Sequence, residues 1–295
     1  MARDGRSDAR TDVRELAPRA PETRELTPSR PGVPMDRLTL PRGPVREVVR
    51  ARGHVYRLRE SEARILATVG TFRVVRADDL QAMRSSRDAW TGDLRSLSDQ
   101  GLVQARTVEV NRQSIAVVVL TRAGKDVLDM HRRASADRSQ TFHAGLVKPR
   151  ELAHDSQLYR LYQAEANRID GEGGRVVRVI LDYELKRDYQ TFLNRPDRPD
   201  GAARADDLEA FAAASGLPVI DGHLELPDLR IEYETADGRV EYRDVELVTE
   251  HYSRGQLAGK TAAGFALYRA AGAGGRGSSA RTGGTPFDPH HLERL

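Results

Sequence analysis

Apolar residues recur at helical spacing three times in the stretch from Leu58 to Arg133. The first run predicts a helix that begins near Ser61. The second predicts a short helix after Asp78 and Asp79, because acidic side chains stabilise the positive end of a helix dipole. The third predicts a longer helix, for which Gly101 is a typical C-terminal stop. The apolar positions of the three helices are Ile65, Leu66, Val69 and Phe72; Leu80 and Met83; and Trp90, Leu94 and Leu97.

Two further apolar runs predict a β-hairpin after the third helix. The runs are Leu102 to Val110 and Ser114 to Leu120, and the polar residues Asn111-Arg112-Gln113 form the turn between them. Thr121 is then a typical N-cap for a fourth helix. The order helix, helix, helix, hairpin, helix resembles that of winged helix–turn–helix repressors. The resemblance implies that this stretch is a DNA-binding domain.

A basic stripe lies beside the apolar face of the third predicted helix. At about 100° per residue, three arginines and two hydroxyl side chains share this face. The planar guanidinium group of arginine pairs with guanine edges or with phosphates. We therefore predict that the stripe enters the major groove of double-stranded DNA, and that the hairpin turn contacts the backbone or the minor groove. A solvated helix face and a protein-docking module are the alternatives. The stripe consists of Arg84, Arg87, Thr91, Arg95 and Ser98, and the turn contributes Arg112 and Gln113.

The second half of the chain also alternates between helix and strand patterns. Asp237-Gly238 is a hairpin signal between two strands, and Ser253 with Gln256 fits the capping box of a helix. No clear apolar strand follows that helix. The predicted elements are a helix over Asp155 to Ile169, a strand over Arg175 to Tyr183, a strand opened by Leu226-Pro227-Asp228, a return strand over Arg239 to Val248, and a helix that contains Lys260, Phe265, Leu267 and Tyr268.

This order of elements is similar to the core of the PD-(D/E)XK nuclease superfamily. Together with the preceding winged helix, it resembles the replication-relaxation family of plasmids and other mobile elements. The matching residues are Pro227-Asp228, the strand that contains Val245-Glu246, and the run from Lys260 to Tyr268. The resemblance covers most of residues 58–270.

The resemblance implies metal-assisted phosphodiester hydrolysis. Mg²⁺ prefers carboxylate oxygens and water, so Asp228 and Glu246 would bind it, and Glu165 on the preceding helix would be an extra ligand. Lys260 would stabilise the attacking water or the developing charge. The implied catalytic residues are therefore Asp228, Glu246 and Lys260.

Two departures from the family pattern favour a domain that has lost nuclease activity. Val248 stands two residues after Glu246, where the family has a lysine, so the ammonium group would have to come from Lys260 on the next helix. The absence of an apolar strand after Tyr268 indicates that the core lacks its last strand.

Histidines do not suggest a separate metal site. No pair has the spacing of a zinc motif. His154 comes directly before the predicted helix and Asp155 is at its start, where we interpret the two as helix-capping residues.

The predicted fold class is α+β, in which a winged helix–turn–helix is followed by an α/β PD-(D/E)XK-like domain, with disordered tails. The predicted boundaries are a disordered basic arm over 1–52, the DNA-binding domain over 53–133, a linker over 134–150, the nuclease-like domain over 151–271 and a flexible tail over 272–295.

Charge differs between the two halves of the 295-residue chain. Residues 1–150 hold 29 Lys and Arg against 19 Asp and Glu, whereas residues 151–295 hold 18 against 25. A basic front half suits an anionic polymer. The chain has no cysteine, no apolar run long enough to cross a bilayer and no signal peptide, so we expect a cytoplasmic protein that does not interact with membranes.

Three functional hypotheses follow. The first is a DNA-binding protein of a plasmid, phage or other mobile element, which acts in replication, mobilisation or their regulation, as a homodimer or with partner replication or mobilisation proteins. The second is a Mg²⁺-dependent endonuclease that the winged helix targets to DNA. The third is a transcriptional regulator whose C-terminal domain dimerises or senses a signal. Convergence of Asp228, Glu246 and Lys260 on one site would favour the enzyme.

Overall fold

The computed structural model describes residues 33–81, 87–110, 113–133, 139–146, 148–201, 203–249, 252–270 and 292–294. These residues form an α+β fold with eight helices and four sheets. The helices are α1 (Glu60–Phe72), α2 (Ala77–Gln81), α3 (Arg87–Asp99), α4 (Arg122–Met130), α5 (Pro149–Gly171), α6 (Asp182–Leu193), α7 (Ala203–Ser215) and α8 (Arg254–Ala262). The strands are β1 (Glu47–Ala51), β2 (His54–Leu58), β3 (Val75–Arg76), β4 (Val103–Val110), β5 (Gln113–Leu120), β6 (Arg175–Leu181), β7 (Val219–Ile220), β8 (His223–Leu224), β9 (Leu229–Glu234), β10 (Val240–Val248), β11 (Ala266–Ala270) and β12 (Leu292–Arg294).

The first half follows the predicted order of three helices, a hairpin and a fourth helix. Strands β4 and β5 pair antiparallel from Val103 opposite Leu120 to Val110 opposite Gln113, and β3 adds to the other edge of β5. The hydroxyl of Thr121 accepts a hydrogen bond from the backbone of Gly124, so the predicted N-cap of α4 is correct.

The predicted disordered arm extends too far along the chain. Strands β1 and β2 form an antiparallel hairpin whose turn, at Arg52 and Gly53, has positive φ angles of 49° and 80°. Alternate side chains of this hairpin are buried, and so are four apolar residues that precede it. The alternation spans only five residues in each strand, so the sequence pattern was too short to reveal it. The buried residues are Val33, Met35, Leu38, Leu40, Val49, Ala51, Tyr56 and Leu58. Residues 1–32 lie outside the described part.

The segment 139–146, which the sequence places in a linker, is packed between the two halves. The side chain of Gln140 binds both the N–H and the carbonyl of Val179, so it satisfies the outer edge of β6. Phe142 is buried beside Gly70, and the backbone of His143 donates to the Gly70 carbonyl. The predicted linker is therefore wrong here, because a polar side chain that completes a sheet edge looks like a loop residue in the sequence.

Burial of His143 in this segment makes stability depend on pH. Burial, together with the positive charge of Arg73, lowers the pKa of His143 from 6.5 to about 4. The Glu184 carboxylate lies 3.9 Å from Nε2, beyond hydrogen-bonding distance. The unfolded chain takes up a proton at His143 below about pH 6.5, whereas the folded chain does so only near pH 4.

We therefore expect the free energy of unfolding to fall as pH decreases from 6.5 to 4, by about 2–3 kcal/mol more in the wild type than in His143→Gln. Urea denaturation at a series of pH values measures this difference. Parallel curves for the two proteins over that range would contradict it.

The two halves share one apolar core. The Phe72 ring at the end of α1 lies 5.2 Å from that of Tyr159 and 5.1 Å from that of Tyr162, both on α5. A buried ion pair joins α2 to α5, where Arg160 binds Asp79 through two hydrogen bonds of 2.8 and 2.9 Å. The first half is therefore anchored directly on the helix that supports the second.

Arg160→Ala is expected to lower the free energy of unfolding by about 3–5 kcal/mol, because it leaves the Asp79 carboxylate buried without its main partner. Arg168→Ala is the matched control on the same helix, since Arg168 is 44% exposed and lies 3.8 Å from its partner Glu165. The control should change the free energy by less than about 1 kcal/mol. Equal urea midpoints for the two variants would contradict the expectation.

The second half is built on a five-stranded sheet with the order β12-β11-β10-β9-β6. Strand β9 pairs antiparallel with both β6 and β10, whereas β10 and β11 are parallel and are connected by α8. Helix α5 packs on this sheet, and α6, α7 and the short pair β7–β8 form an insertion between β6 and β9.

Two predictions about the end of the chain are wrong. The predicted helix through Tyr268 stops at Ala262, because Gly264 takes a φ of +77° and redirects the chain into β11. The core therefore has the strand that the sequence indicated was missing. Of the predicted flexible tail, residues 272–291 and 295 lie outside the described part, whereas residues 292–294 add β12 to the edge of β11. Both β11 and β12 form by pairing with strands that are distant in the sequence, and a local sequence pattern does not reveal such pairing.

Candidate functional site

Asp228 and Glu246 face each other where β9 begins. Asp228 directly precedes β9, and Glu246 lies in the buried part of β10. The backbone N–H of Asp228 donates to Oε2 of Glu246 at 3.1 Å, and the backbone N–H of Leu247 donates to Oδ2 of Asp228 at 2.8 Å. Each carboxylate is thus oriented by the backbone of the opposite strand. The hairpin register brings together two residues that are 18 positions apart.

Lys260 reaches the same point from α8. Its ammonium Nζ lies 3.3 Å from Oε1 of Glu246 and 3.2 Å from Oε2 of Glu225, and it donates to the Leu226 carbonyl at 2.6 Å. The side chain is 14% exposed. The three residues that the sequence proposes as catalytic therefore meet at one site, although their positive charge comes from a helix and not from β10.

Sequence reasoning missed two further members of the site. The hydroxyl of Tyr252 donates to Oε1 of Glu246. Nε2 of His154 lies 3.1 Å from Oδ2 of Asp228. His154 is not a helix cap, because α5 begins earlier, at Pro149, which is a favoured first residue of a helix. With that start, His154 shares the helical stripe of Leu158 and Leu161, and this spacing would have predicted that it faces the sheet.

Burial and hydrogen bonding to neighbouring charged groups set the pKa values of the site. Burial, assisted by the nearby charge of Asp228, raises the pKa of Glu246 to about 7, although Lys260 and the hydrogen bond from Tyr252 oppose the shift. Burial disfavours a charged His154, but hydrogen bonds to Asp155 and Asp228 outweigh it and raise its pKa to about 10. Two carboxylates in a partly buried site repel each other, and a bound cation would relieve that repulsion.

The donor set fits a hard divalent cation. Oδ1 of Asp228 has no hydrogen-bond partner among the described residues, and that side chain is 13% exposed. Mg²⁺ is commonly held by one or two carboxylates and completes its octahedron with water and substrate phosphate. Within the described ranges, no group of three or more histidine, cysteine or acidic side chains could hold a metal ion by itself.

The structure does not bring Glu165 to this site. Glu165 lies eleven residues beyond His154 on α5, about 16 Å along the helix axis. It is buried, accepts a hydrogen bond from the Tyr268 hydroxyl and lies 3.2 Å from Arg243. Its contacts are those of an internal structural carboxylate. Arg230 on β9 donates two hydrogen bonds to Asp244.

The predicted DNA-binding residues are described only in part. Arg95 on α3 and Gln113 at the start of β5 are exposed. Asp93, on a different side of α3, is fully buried and accepts a 2.9 Å hydrogen bond from Nε of Arg59. This contact fixes the rotation of α3 about its axis, so that the side chain of Arg95 is exposed to solvent. Arg84 and Arg112 lie outside the described residues, as do the side chains of Arg87 and Thr91.

Comparison with known proteins gives no assignment: no family model, no curated protein and no solved structure matches this chain. In the part of the chain that the structure describes, no helix is both long and apolar enough to cross a membrane.

Proposed function

We propose that this protein binds duplex DNA through a winged-helix unit, residues 53–133, and cleaves it at a Mg²⁺-dependent PD-(D/E)XK-type site in residues 151–271. The observation that carries the proposal is that Glu246 on β10 lies within hydrogen-bonding or ion-pair distance of both Asp228, just before β9, and Lys260 on α8.

The sheet around the site supports the same proposal. Apart from the insertion between β6 and β9, the chain runs through a helix (α5), three antiparallel strands (β6, β9 and β10), a second helix (α8) and a final parallel strand (β11). One departure that favoured an inactive domain was a missing last strand, whereas β11 pairs with β10 as a further strand of the core. The second departure, Val248 in place of lysine, is offset because Lys260 delivers its ammonium group to Glu246.

The side chains would divide the chemistry as follows. A divalent ion held by Asp228 and Glu246 would polarise the phosphate and lower the pKa of a bound water. Glu246 is kept in one orientation by the Tyr252 hydroxyl and the Asp228 backbone. The ammonium group of Lys260 stands beside it, where it would stabilise negative charge that develops on the phosphate or on the attacking water.

The first half would supply DNA affinity. Its excess of basic residues favours binding to a polyanion, and the exposed Arg95 and Gln113 are among the residues that the winged-helix prediction assigns to DNA contact. From the resemblance to the replication-relaxation family, we infer that the process is replication or mobilisation of a plasmid, phage or other mobile element, or control of its genes.

A second candidate is a DNA-binding factor whose nuclease-like domain no longer hydrolyses DNA. The favouring observation is that the site is already paired internally. Lys260 contacts Glu246, Glu225 and the Leu226 carbonyl, and Tyr252 occupies one oxygen of Glu246. Such pairing would stabilise an empty site.

Calorimetric titration of Mn²⁺ into the full chain, with and without a short duplex, tests the site itself. The proposal predicts saturable binding that the duplex strengthens and that Glu246→Gln removes. A wild type that retains the duplex but shows no saturable Mn²⁺ binding would favour the second candidate.

A further inference from the structure

A continuous chain of polar contacts runs from the end of α1 to Asp228. Nη1 of Arg73 lies 3.1 Å from Oδ2 of Asp155, and Oδ1 of Asp155 lies 3.1 Å from Nδ1 of His154. Nε2 of His154 lies 3.1 Å from Oδ2 of Asp228. Both ring nitrogens of His154 are therefore held between carboxylates, so the ring cannot turn without breaking one of these contacts.

Arg73, at the start of this series of contacts, has an unusual backbone conformation. It is the C-terminal cap of α1 and has φ 63° and ψ −51°, a conformation that strains any residue except glycine. Its guanidinium group also lies 3.5 Å from the Glu151 carboxylate and 5.5 Å from the centre of the Tyr183 ring. All of these partners belong to the second half. The favourable contacts of the arginine side chain, and not the backbone conformation, therefore account for an arginine at this position.

The last contacts of this series, at Asp228, restrict its carboxylate to one orientation. Oδ2 is held by His154 and by the backbone N–H of Leu247, and Oδ1 is left for another partner. A carboxylate fixed in this way presents one chosen oxygen to a ligand, and outer contacts of this kind commonly change metal affinity or activity by about 10–100-fold.

We propose that Arg73 is a positioning residue that couples the DNA-binding half to the metal-binding carboxylate through Asp155 and His154. The proposal rests on the proposed function of the Asp228 site and adds its regulation: a movement of α1 when DNA docks would be transmitted to Asp228 by this chain. Arg73 itself does not contact Asp228, so its effect is indirect.

The test uses the full chain with Arg73→Gly, which removes the side chain and relieves the backbone, and with Arg73→Lys, which keeps the charge. Arg64→Ala is the matched control, since it removes another α1 arginine from an ion pair, with Glu60, that has no path to the site. Nicking of supercoiled plasmid is measured against Mg²⁺ concentration, together with DNA affinity and thermal melting. In parallel, NMR of protein with ¹⁵N-labelled histidine side chains records the ring-nitrogen signals of His154. The variant His154→Gln identifies these signals, because they are missing from its spectrum.

We expect Arg73→Gly to lower the nicking rate, or to raise the half-saturating Mg²⁺ concentration, by about 10-fold, with DNA affinity within twofold. Its melting temperature should fall, because the buried Asp155 loses an ion-pair partner, but the variant should remain folded at the assay temperature. Arg73→Lys should recover part of the loss, and the His154 ring signals should shift in Arg73→Gly but not in Arg64→Ala. Rates and ring signals that are the same in Arg73→Gly and Arg64→Ala would overturn the coupling while leaving nicking by the wild type intact. If the wild type does not nick DNA, the proposed function fails. The comparison of His154 ring signals between Arg73→Gly and Arg64→Ala then decides by itself whether Arg73 positions His154.

Discussion

Glu246→Gln is expected to slow Mg²⁺-dependent nicking of supercoiled plasmid by about 100-fold or more, while DNA affinity stays within about twofold. Glutamine has nearly the same shape and retains an oxygen for the Tyr252 hydroxyl, so the fold should persist. It removes the negative charge that a divalent ion requires, and interactions with developing charge at an active site are commonly worth about 10²–10³ in rate. The measurement is the initial rate of nicking at saturating Mg²⁺.

Glu241→Gln is the matched control for this experiment. Glu241 lies on the same strand, β10, but is 41% exposed and binds Tyr233. It should nick at the wild-type rate. If both glutamine variants nick as fast as the wild type, Glu246 has no part in hydrolysis.

The second large effect is expected from the double substitution Arg87→Ala with Arg95→Ala, which should weaken duplex DNA binding by about 100-fold. Each arginine would lose a contact with a base edge or a phosphate, and such contacts are worth about 1–3 kcal/mol. The dependence of affinity on salt concentration should also become shallower, because fewer counterions are released. Fluorescence anisotropy with a labelled duplex at several salt concentrations measures both quantities.

The control for DNA binding removes the same charge elsewhere. Arg168→Ala with Arg239→Ala changes two exposed arginines of the second half. Its affinity should stay within about threefold of the wild type. If instead the two double variants bind DNA equally well, the proposed face on α3 is wrong.

Local patterns predicted much of the first half, and the resemblance to the nuclease superfamily pointed to the carboxylates of Asp228 and Glu246. Helical spacing identified α1 to α4, and the two apolar runs gave β4 and β5 to within two residues. Asp237-Gly238 fixed the turn between β9 and β10, and this turn placed Asp228 opposite Glu246. Each of these features is determined by residues near one another in the chain.

The features that were missed depend on contacts between distant segments. Gln140 completes β6 at a separation of 39 residues, and β11 exists because it can pair with β10. His154 joins the site from α5 across 74 positions, and it was missed because the predicted helix begins at Asp155 whereas α5 begins at Pro149. Glu165 was assigned to the site because it lies on the correct helix, but the helix places it about three turns away.

The most direct test of the account is one incubation of the purified full chain with supercoiled plasmid, in Mg²⁺ or in EDTA, analysed on the same gel for nicking and for retardation. The account predicts retardation in both conditions and nicked circles only in Mg²⁺. Retardation without nicking in Mg²⁺ would contradict hydrolysis at the Asp228–Glu246 site, and the absence of retardation would contradict the DNA-binding proposal as well.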